Sequence, residues 1–279
     1  MSVVGFMQGR LSPLVNGRIQ AFPASHWREE FPAAQALGLR LMEWTLDHEG
    51  LADNPLMSPH GRTEIRELCA SCDLSVPSLT GDCFMQAPFW KAAGASDRAA
   101  LLAEFDAVMD AAADLGIGII VVPLVDNGRV ELAGQAAVLR DALLQRVPML
   151  AARRVRVAFE SDLPALELTE WISGYPPGVF GINYDTGNSA SLGYDVTTEW
   201  AAYGSRIINV HIKDRLLGGS TVPLGGGNCN FPAVFRAMRE AGYAGNLILQ
   251  TARAADGNHA GALARYRDFV VNQIQTTCC

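Results

Sequence analysis

An α/β fold, a single (β/α)8 barrel, is what this sequence of 279 residues predicts, and three features carry the prediction. Eight short apolar runs recur along the chain, starting at Val3, Arg40, Leu74, Ile117, Val155, Val179, Ile207 and Asn246. The segments between them have helical periodicity. Most runs stop at a polar residue. Parallel neighbours need a crossover of about a dozen residues or more, and every interval here has room for one. Eight such units in about 250 residues make the barrel known as a TIM barrel. A doubly wound open sheet is the competing arrangement, but it usually carries a Gly-rich turn after its first strand. Here the first strand runs into MQGRLSP. No linker or shift in composition divides the chain, so residues 1–279 are expected to form one domain.

The elements follow in order. The strands are read at VVGFM, RLMEW, LSVPSL, IGIIVVP, VRVAFE, VFGINYD, IINVHIK and NLILQT. Between the third and fourth, Leu101, Leu102, Phe105, Val108, Met109 and Ala112 recur at spacings of three and four. They predict an amphipathic helix over 96–115 with Ser96 as its N-cap. Helices are also expected over 131–151, with Val138, Leu139, Leu143, Leu144 and Val147 as its core stripe, and over 258–274. Gly38, Gly116 and Gly242 follow helical segments, where a left-handed C-cap is expected.

Composition narrows the function. The chain is 49% hydrophobic and 18% charged, enough apolar material for a large core and too much for a disordered chain. Asp and Glu number 29 against 22 Lys and Arg, giving a net charge of −7. That balance lacks the basic footprint of a nucleic-acid partner. The longest apolar stretch, Ile117 to Val125, is far too short to cross a membrane. The start has no basic region before an apolar core, and the six cysteines suit a thiol-keeping compartment, so a cytoplasmic protein is expected.

In a barrel of this kind, the residues that end the strands form the active face. The first strand delivers Gln8 and Arg10, the second Glu43, the third Thr80 and Asp82. The last four deliver Glu160, Asp185, His211 and Gln250, one each. Two carboxylates, an imidazole and an amide oxygen form a hard-to-borderline ligand set. It suits one divalent ion such as Mn²⁺, Mg²⁺, Co²⁺ or Zn²⁺.

The segments FES at Glu160, YDTGN at Asp185, VHIKDR at His211 and LILQTAR at Gln250 resemble the xylose-isomerase-like barrel superfamily of sugar and sugar-phosphate isomerases and epimerases. The resemblance extends over nearly the whole chain. It implies a metal bound through Glu, Asp, His and Glu on strands five to eight. Glu160, Asp185 and His211 match, whereas Gln250 stands where the family has a second glutamate. Asn188 falls where some members use a histidine near the substrate's first carbons, and Arg215 near an arginine with the same use. The substrate contacts expected are Arg10, Glu43, Asp82, Asn188, Lys213, Arg215 and Arg253, with Lys213 and Arg253 available to a phosphate or carboxylate.

The implied partner is a small sugar or sugar phosphate, and a homo-oligomer is compatible with the fold. The implied chemistry is proton transfer through an enediolate, with Glu160 as ligand and base. An amide does not titrate near neutrality, so Gln250 cannot be the second base of a 3-epimerisation. Another acid (Glu43 or Asp82) or a water would act instead, or the reaction is a one-base aldose–ketose isomerisation. A metal-dependent dehydratase of a cyclic polyol, and a sugar-binding barrel that has lost catalysis at Gln250, are the alternatives. Weaker features are Gly225-Gly226-Gly227, read as a flexible turn ahead of a phosphate cradle, and Cys69 with Cys72, read as ordinary thiols. Trp44, Phe84, Phe89 and Trp90 are either an apolar wall for the sugar or core.

Overall fold

A computed structural model describes residues 3–277. Its eight main strands are β1 (Val4–Met7), β2 (Leu41–Leu46), β3 (Ser75–Gly81), β4 (Ile119–Leu124), β5 (Arg156–Ser161), β6 (Phe180–Asp185), β7 (Ile207–Ile212) and β8 (Leu247–Leu249). Each pairs in parallel with its neighbours in sequence, and β8 returns to β1, closing the barrel. The open-sheet alternative is thereby excluded. A helix follows each strand: α1 (Glu30–Ala36), α2 (Pro59–Cys72), α3 (Ala95–Leu115), α4 (Ala133–Gln145), α5 (Ala165–Ser173), α6 (Val196–Tyr203), α7 (Phe231–Glu240) and α8 (His259–Thr277). No helix among the described residues is long and apolar enough to cross a membrane.

Successive strand side chains alternate between the barrel axis and the helices. On β5, Phe159 packs among Trp171, Tyr175 and Phe180. Its neighbours Ala158 and Glu160 face the other way. The main core therefore lies between strands and helices, and two small clusters, Met7–Leu41–Ile248 and Ile119–Val121–Ala158, stand apart from it. Glycine makes room for this filling. A Cβ at Gly5 would lie 2.3 Å from Leu41 Cδ2, and one at Gly181 2.7 Å from Ile208 Cγ1.

The details correct several expectations. Gly38, Gly116 and Gly242 do take positive φ after their helices. Ser96 does not cap α3, because the helix begins one residue earlier behind Gly94. The segment expected as one helix over 131–151 is two, α4 and Val147–Arg153, divided at Arg146. Pro148 supplies no amide hydrogen and so suits the first turn of a new helix, not the interior of a continuous one. Trp44, Phe84, Phe89 and Trp90 are all buried in the core. Trp44 meets Phe22 at a tilt and Trp27 edge-on, and donates its indole N–H to Asn54 Oδ1 at 3.1 Å.

Candidate metal centre at the strand ends

Glu160, Asp185 and His211 come together at the ends of β5, β6 and β7. One donor atom from each lies within 4.8 Å of the other two, and all three residues are buried. Register explains the meeting: Asp185 sits directly beside His211 in the β6–β7 ladder. The backbone turns sharply after Asp185, whose Oδ1 accepts the N–H groups of Gly187 and Asn188, each at 2.8 Å. That N-cap bond fixes the carboxylate and leaves Oδ2 facing Lys213 Nζ at 3.3 Å. Glu160 is fixed by two amides. Asn188 Nδ2 donates to Oε1 and Asn183 Nδ2 to Oε2, both at 2.8 Å.

His211 is held from behind. Its Nε2 meets Glu43 Oε1 at 2.6 Å, and its Nδ1 faces Glu160 Oε2 at 3.2 Å. Burial alone would lower the imidazole pKa. The adjoining charges and hydrogen bonds of Glu43 and Glu160 outweigh burial and raise it to about 10. Burial likewise opposes the charge on Glu43, yet its pKa is lowered, by His211 together with Thr80 and Ser78. Both shifts favour an imidazolium–carboxylate pair, and Asn183 Nδ2 lies 3.0 Å from His211 Nδ1.

The donors fit a divalent ion. Bonds of about 2.0–2.4 Å from a common centre put donor atoms no more than about 4.8 Å apart, and an Nδ1 presented by a carboxylate on Nε2 is the usual arrangement of a ligating histidine. Gln250 is joined to this trio through Lys213, whose Nζ meets both Asp185 Oδ2 and Gln250 Oε1. Its Oε1 accepts from Lys213 Nζ at 3.1 Å and its Nε2 donates to Gln20 Oε1 at 2.8 Å.

Three expected substrate contacts are placed elsewhere. Glu43 is fully buried, and its two oxygens receive Ser78, Asn209, Thr80 and His211. It positions His211 and has no free valence for a sugar. Arg253 donates to the carbonyls of Gly9 and Ser12. Arg10 is buried and bonds Thr251 O, Ile19 O and Gln20 Oε1. Its pKa is lowered to about 10 by burial and by the neighbouring charge of Arg253. Through these carbonyls both arginines tie the loop after β1 to the segment after β8. The three glycines do not form an anion cradle, since Gly225 and Gly227 donate their N–H groups to Asp214 Oδ2, each at 2.9 Å.

Four expected contacts stay near the centre. Asn188 joins Glu160 to Arg215, whose Nη1 donates to Asn188 Oδ1 at 2.9 Å. Lys213 lies against Asp185 and Gln250. Asp82 accepts from Gln20 Nε2 at 2.5 Å.

Sequence reasoning missed the residues behind the trio. Asn183 and Asn209 bond each other at 2.9 Å and link Glu160 to Glu43. Each stands two positions before a member of the trio, Asp185 or His211, hence on the same strand face, and that period was the available signal. Glu30 was also missed. It is buried on α1 and accepts the N–H groups of Gly9 and Leu11, each at 2.8 Å.

Comparison with known proteins agrees with this architecture. The family model described as "Xylose isomerase-like TIM barrel" matches residues 31–268. An L-ribulose-5-phosphate 3-epimerase, UlaE, of Salmonella paratyphi A is 26% identical over 263 residues, covering 90% of this chain and 91% of the relative. Among solved structures, a xylose isomerase domain protein from Planctomyces limnophilus superposes with a TM-score of 0.77 at 18% identity, over 99% of this chain and 98% of the other. D-psicose 3-epimerase from Clostridium cellulolyticum H10, solved with D-tagatose, gives 0.75 at 12% identity, over 99% of both chains. At these identities the two structures speak to the fold.

Proposed function

Because the chain belongs to the xylose isomerase-like TIM barrel family, we propose that it is a divalent-metal-dependent isomerase or epimerase of a sugar or sugar phosphate. The observation that carries the reading is the convergence of Glu160, Asp185 and His211 at the active end of the barrel. The L-ribulose-5-phosphate 3-epimerase among its relatives supports a ketose as the substrate class. Glu160, Asp185 and His211 would hold the ion, with the amide oxygen of Gln250 as the fourth ligand. A bound divalent cation supplies Lewis-acid stabilisation of negative charge on a carbonyl oxygen and its neighbouring hydroxyl.

The chain's own residues do the rest. Glu160 takes the proton from the carbon beside the carbonyl. The amides of Asn183 and Asn188 hold both its oxygens and aim them, which limits the reorganisation needed at the moment of transfer. Glu43 keeps the Nε2 proton of His211 in place, so that Nδ1 is the ligating atom. Lys213 and Arg215 offer N–H donors to substrate oxygens beside the ligands, and Asn188 sets the position of Arg215.

The test is isotopic. The protein, loaded with Mn²⁺, is incubated in D₂O with free and phosphorylated ketoses, and deuterium at C1, C2 and C3 is followed by NMR together with the products. Metal-dependent deuterium entry at a carbon beside the carbonyl, with an isomer or epimer formed, is expected. A protein that takes up no Mn²⁺, Mg²⁺, Co²⁺ or Zn²⁺ and labels no ketose is not this enzyme.

A further inference from the structure

The second proton-transfer group is missing from the place where a two-base epimerisation would need it, because Gln250 cannot titrate. Glu43 does not replace it, since it is fully buried and already accepts four hydrogen bonds. Asp82 is different. It lies immediately after β3, four strands around the ring from β7 and two from β5. It therefore meets the mouth of the barrel from another side than Glu160. It takes part in no ion pair among the described residues, and Gln20 Nε2 is its hydrogen-bond donor. Gln20 Oε1 in turn accepts from Gln250 Nε2 at 2.8 Å. One amide thus joins the carboxyl of Asp82 to the side chain that replaces the family's second glutamate.

Resting on the sugar epimerase reading above, we propose that Asp82 is the second proton-transfer residue of this chain, acting on the opposite face of the substrate from Glu160. Burial, with the charges of Asp47 and Glu160 nearby and against the hydrogen bond from Gln20, raises its pKa to about 7. A carboxyl group in that range can give or take a proton near neutrality. The step balances. Glu160 carboxylate removes the proton from C3. The C–H electron pair forms the C2–C3 double bond, and the carbonyl π pair moves onto the C2 oxygen. The Asp82 carboxylic acid then gives its proton to C3 from the other face, and the carbonyl is restored. Glu160 ends protonated and Asp82 ionised, and proton exchange with water resets both.

The experiment follows C3 of free and phosphorylated ketoses in D₂O with the Mn²⁺-loaded protein. In the wild type at low conversion, the epimer should carry deuterium while recovered substrate keeps protium. Protium carried into the epimer would mean that one group serves both faces, and would overturn the proposal. Asp82→Asn should form epimer ~10²–10⁴-fold more slowly, the range for loss of a positioned acid or base. It should still wash deuterium into C3 of recovered substrate, because an enediolate that Asp82 no longer protonates lasts long enough for the proton on Glu160 to exchange with D₂O. Loss of washing and epimerisation together would mark a structural role, and epimerisation within a few-fold of wild type would mark no role. Both results reject Asp82. If Asp82→Asn fails to fold, protium carried into the wild-type epimer still overturns the proposal. Labelling at C1 or C2 alone rejects Asp82 and leaves a sugar isomerase, whereas no label at any carbon rejects the parent reading.

Discussion

The two halves of the barrel mouth treat buried charge in opposite ways. On the β1–β3 side, Glu30, Glu43, Arg10 and Arg253 are tied to partners within the chain. On the β5–β7 side, Glu160 and Asp185 lie beside His211 Nδ1, with donor atoms converging within 4.8 Å. Polar residues at strand ends therefore fall into two kinds. Those with saturated valence hold loops or ligands in place, and those whose open valences point at one another form a centre. The difference is absent from residue type, since a glutamate serves on each side.

The most severe way to break the β5–β7 side is Glu160→Gln. It removes the proposed base, so deuterium exchange and turnover should fall ~10²–10⁴-fold. One of the two asparagine amides would then face an NH₂ group, so Mn²⁺ affinity should fall as well. Rates at saturating Mn²⁺ isolate the loss of the base. Turnover within a few-fold of wild type under those conditions would assign the proton to another residue.

The complementary change on the other side is Glu43→Gln. Glu43 is fully buried, and it orients His211 through Nε2. Loss of such a supporting carboxylate typically costs ~10–100-fold in metal affinity. Calorimetry with Mn²⁺ should show a drop in that range. Unchanged affinity would mean that Asn183, whose Nδ2 lies 3.0 Å from His211 Nδ1, and the barrel walls suffice to aim the ring.

The two sides are also coupled through pH. With its pKa raised to about 10 by Glu43 and Glu160, His211 is protonated at neutral pH, and an ion must displace that proton. Metal affinity should therefore rise with pH, approaching ~tenfold per unit while His211 remains mostly protonated. As for folding, a raised histidine pKa contributes stability in the metal-free protein that is present below the unfolded value of about 6.5. That contribution is lost as pH climbs through about 10. Titrations of Mn²⁺ binding at pH 6, 7 and 8 check the first statement. A flat profile would show that His211 is already neutral.

All eight strands were legible because parallel barrel strands are apolar on both faces and each run stands out between polar turns. The convergence of Glu160, Asp185 and His211 was legible because these three residues lie at or next to the ends of three consecutive strands. What stayed hidden was pairing across the chain. Arg253 and Gly9 lie 244 positions apart, and Glu43 and His211 lie 168 apart. Nothing local distinguishes an arginine that binds carbonyls from one that awaits a phosphate. Asn183 and Asn209 were hidden for a different reason. A single amide inside an apolar run looks like an interruption until the period of two places it beneath a ligand.

The smallest expected effect is at Gln250, where the two sides meet. Gln250→Glu adds a carboxylate beside Glu160, Asp185 and His211, and charge alone argues for tighter metal binding. Two contacts oppose it. Lys213 Nζ, 3.1 Å from Gln250 Oε1, would pair with the new carboxylate and compete with the ion. The N–H that Gln250 gives to Gln20 Oε1 would be replaced by an oxygen facing an oxygen until Gln20 turns over. Gln20 also donates to Asp82 at 2.5 Å, so that rotation disturbs the β3 side as well. The net gain should therefore be only a few-fold, below the factor of ten that about 1.4 kcal/mol would give. Adding Lys213→Met should release the carboxylate from its partner and enlarge the gain. Calorimetry with Mn²⁺ on the single and double variants checks both statements. If Gln250→Glu gives no gain even without Lys213, residue 250 does not reach the ion, and the centre is built from β5, β6 and β7 alone.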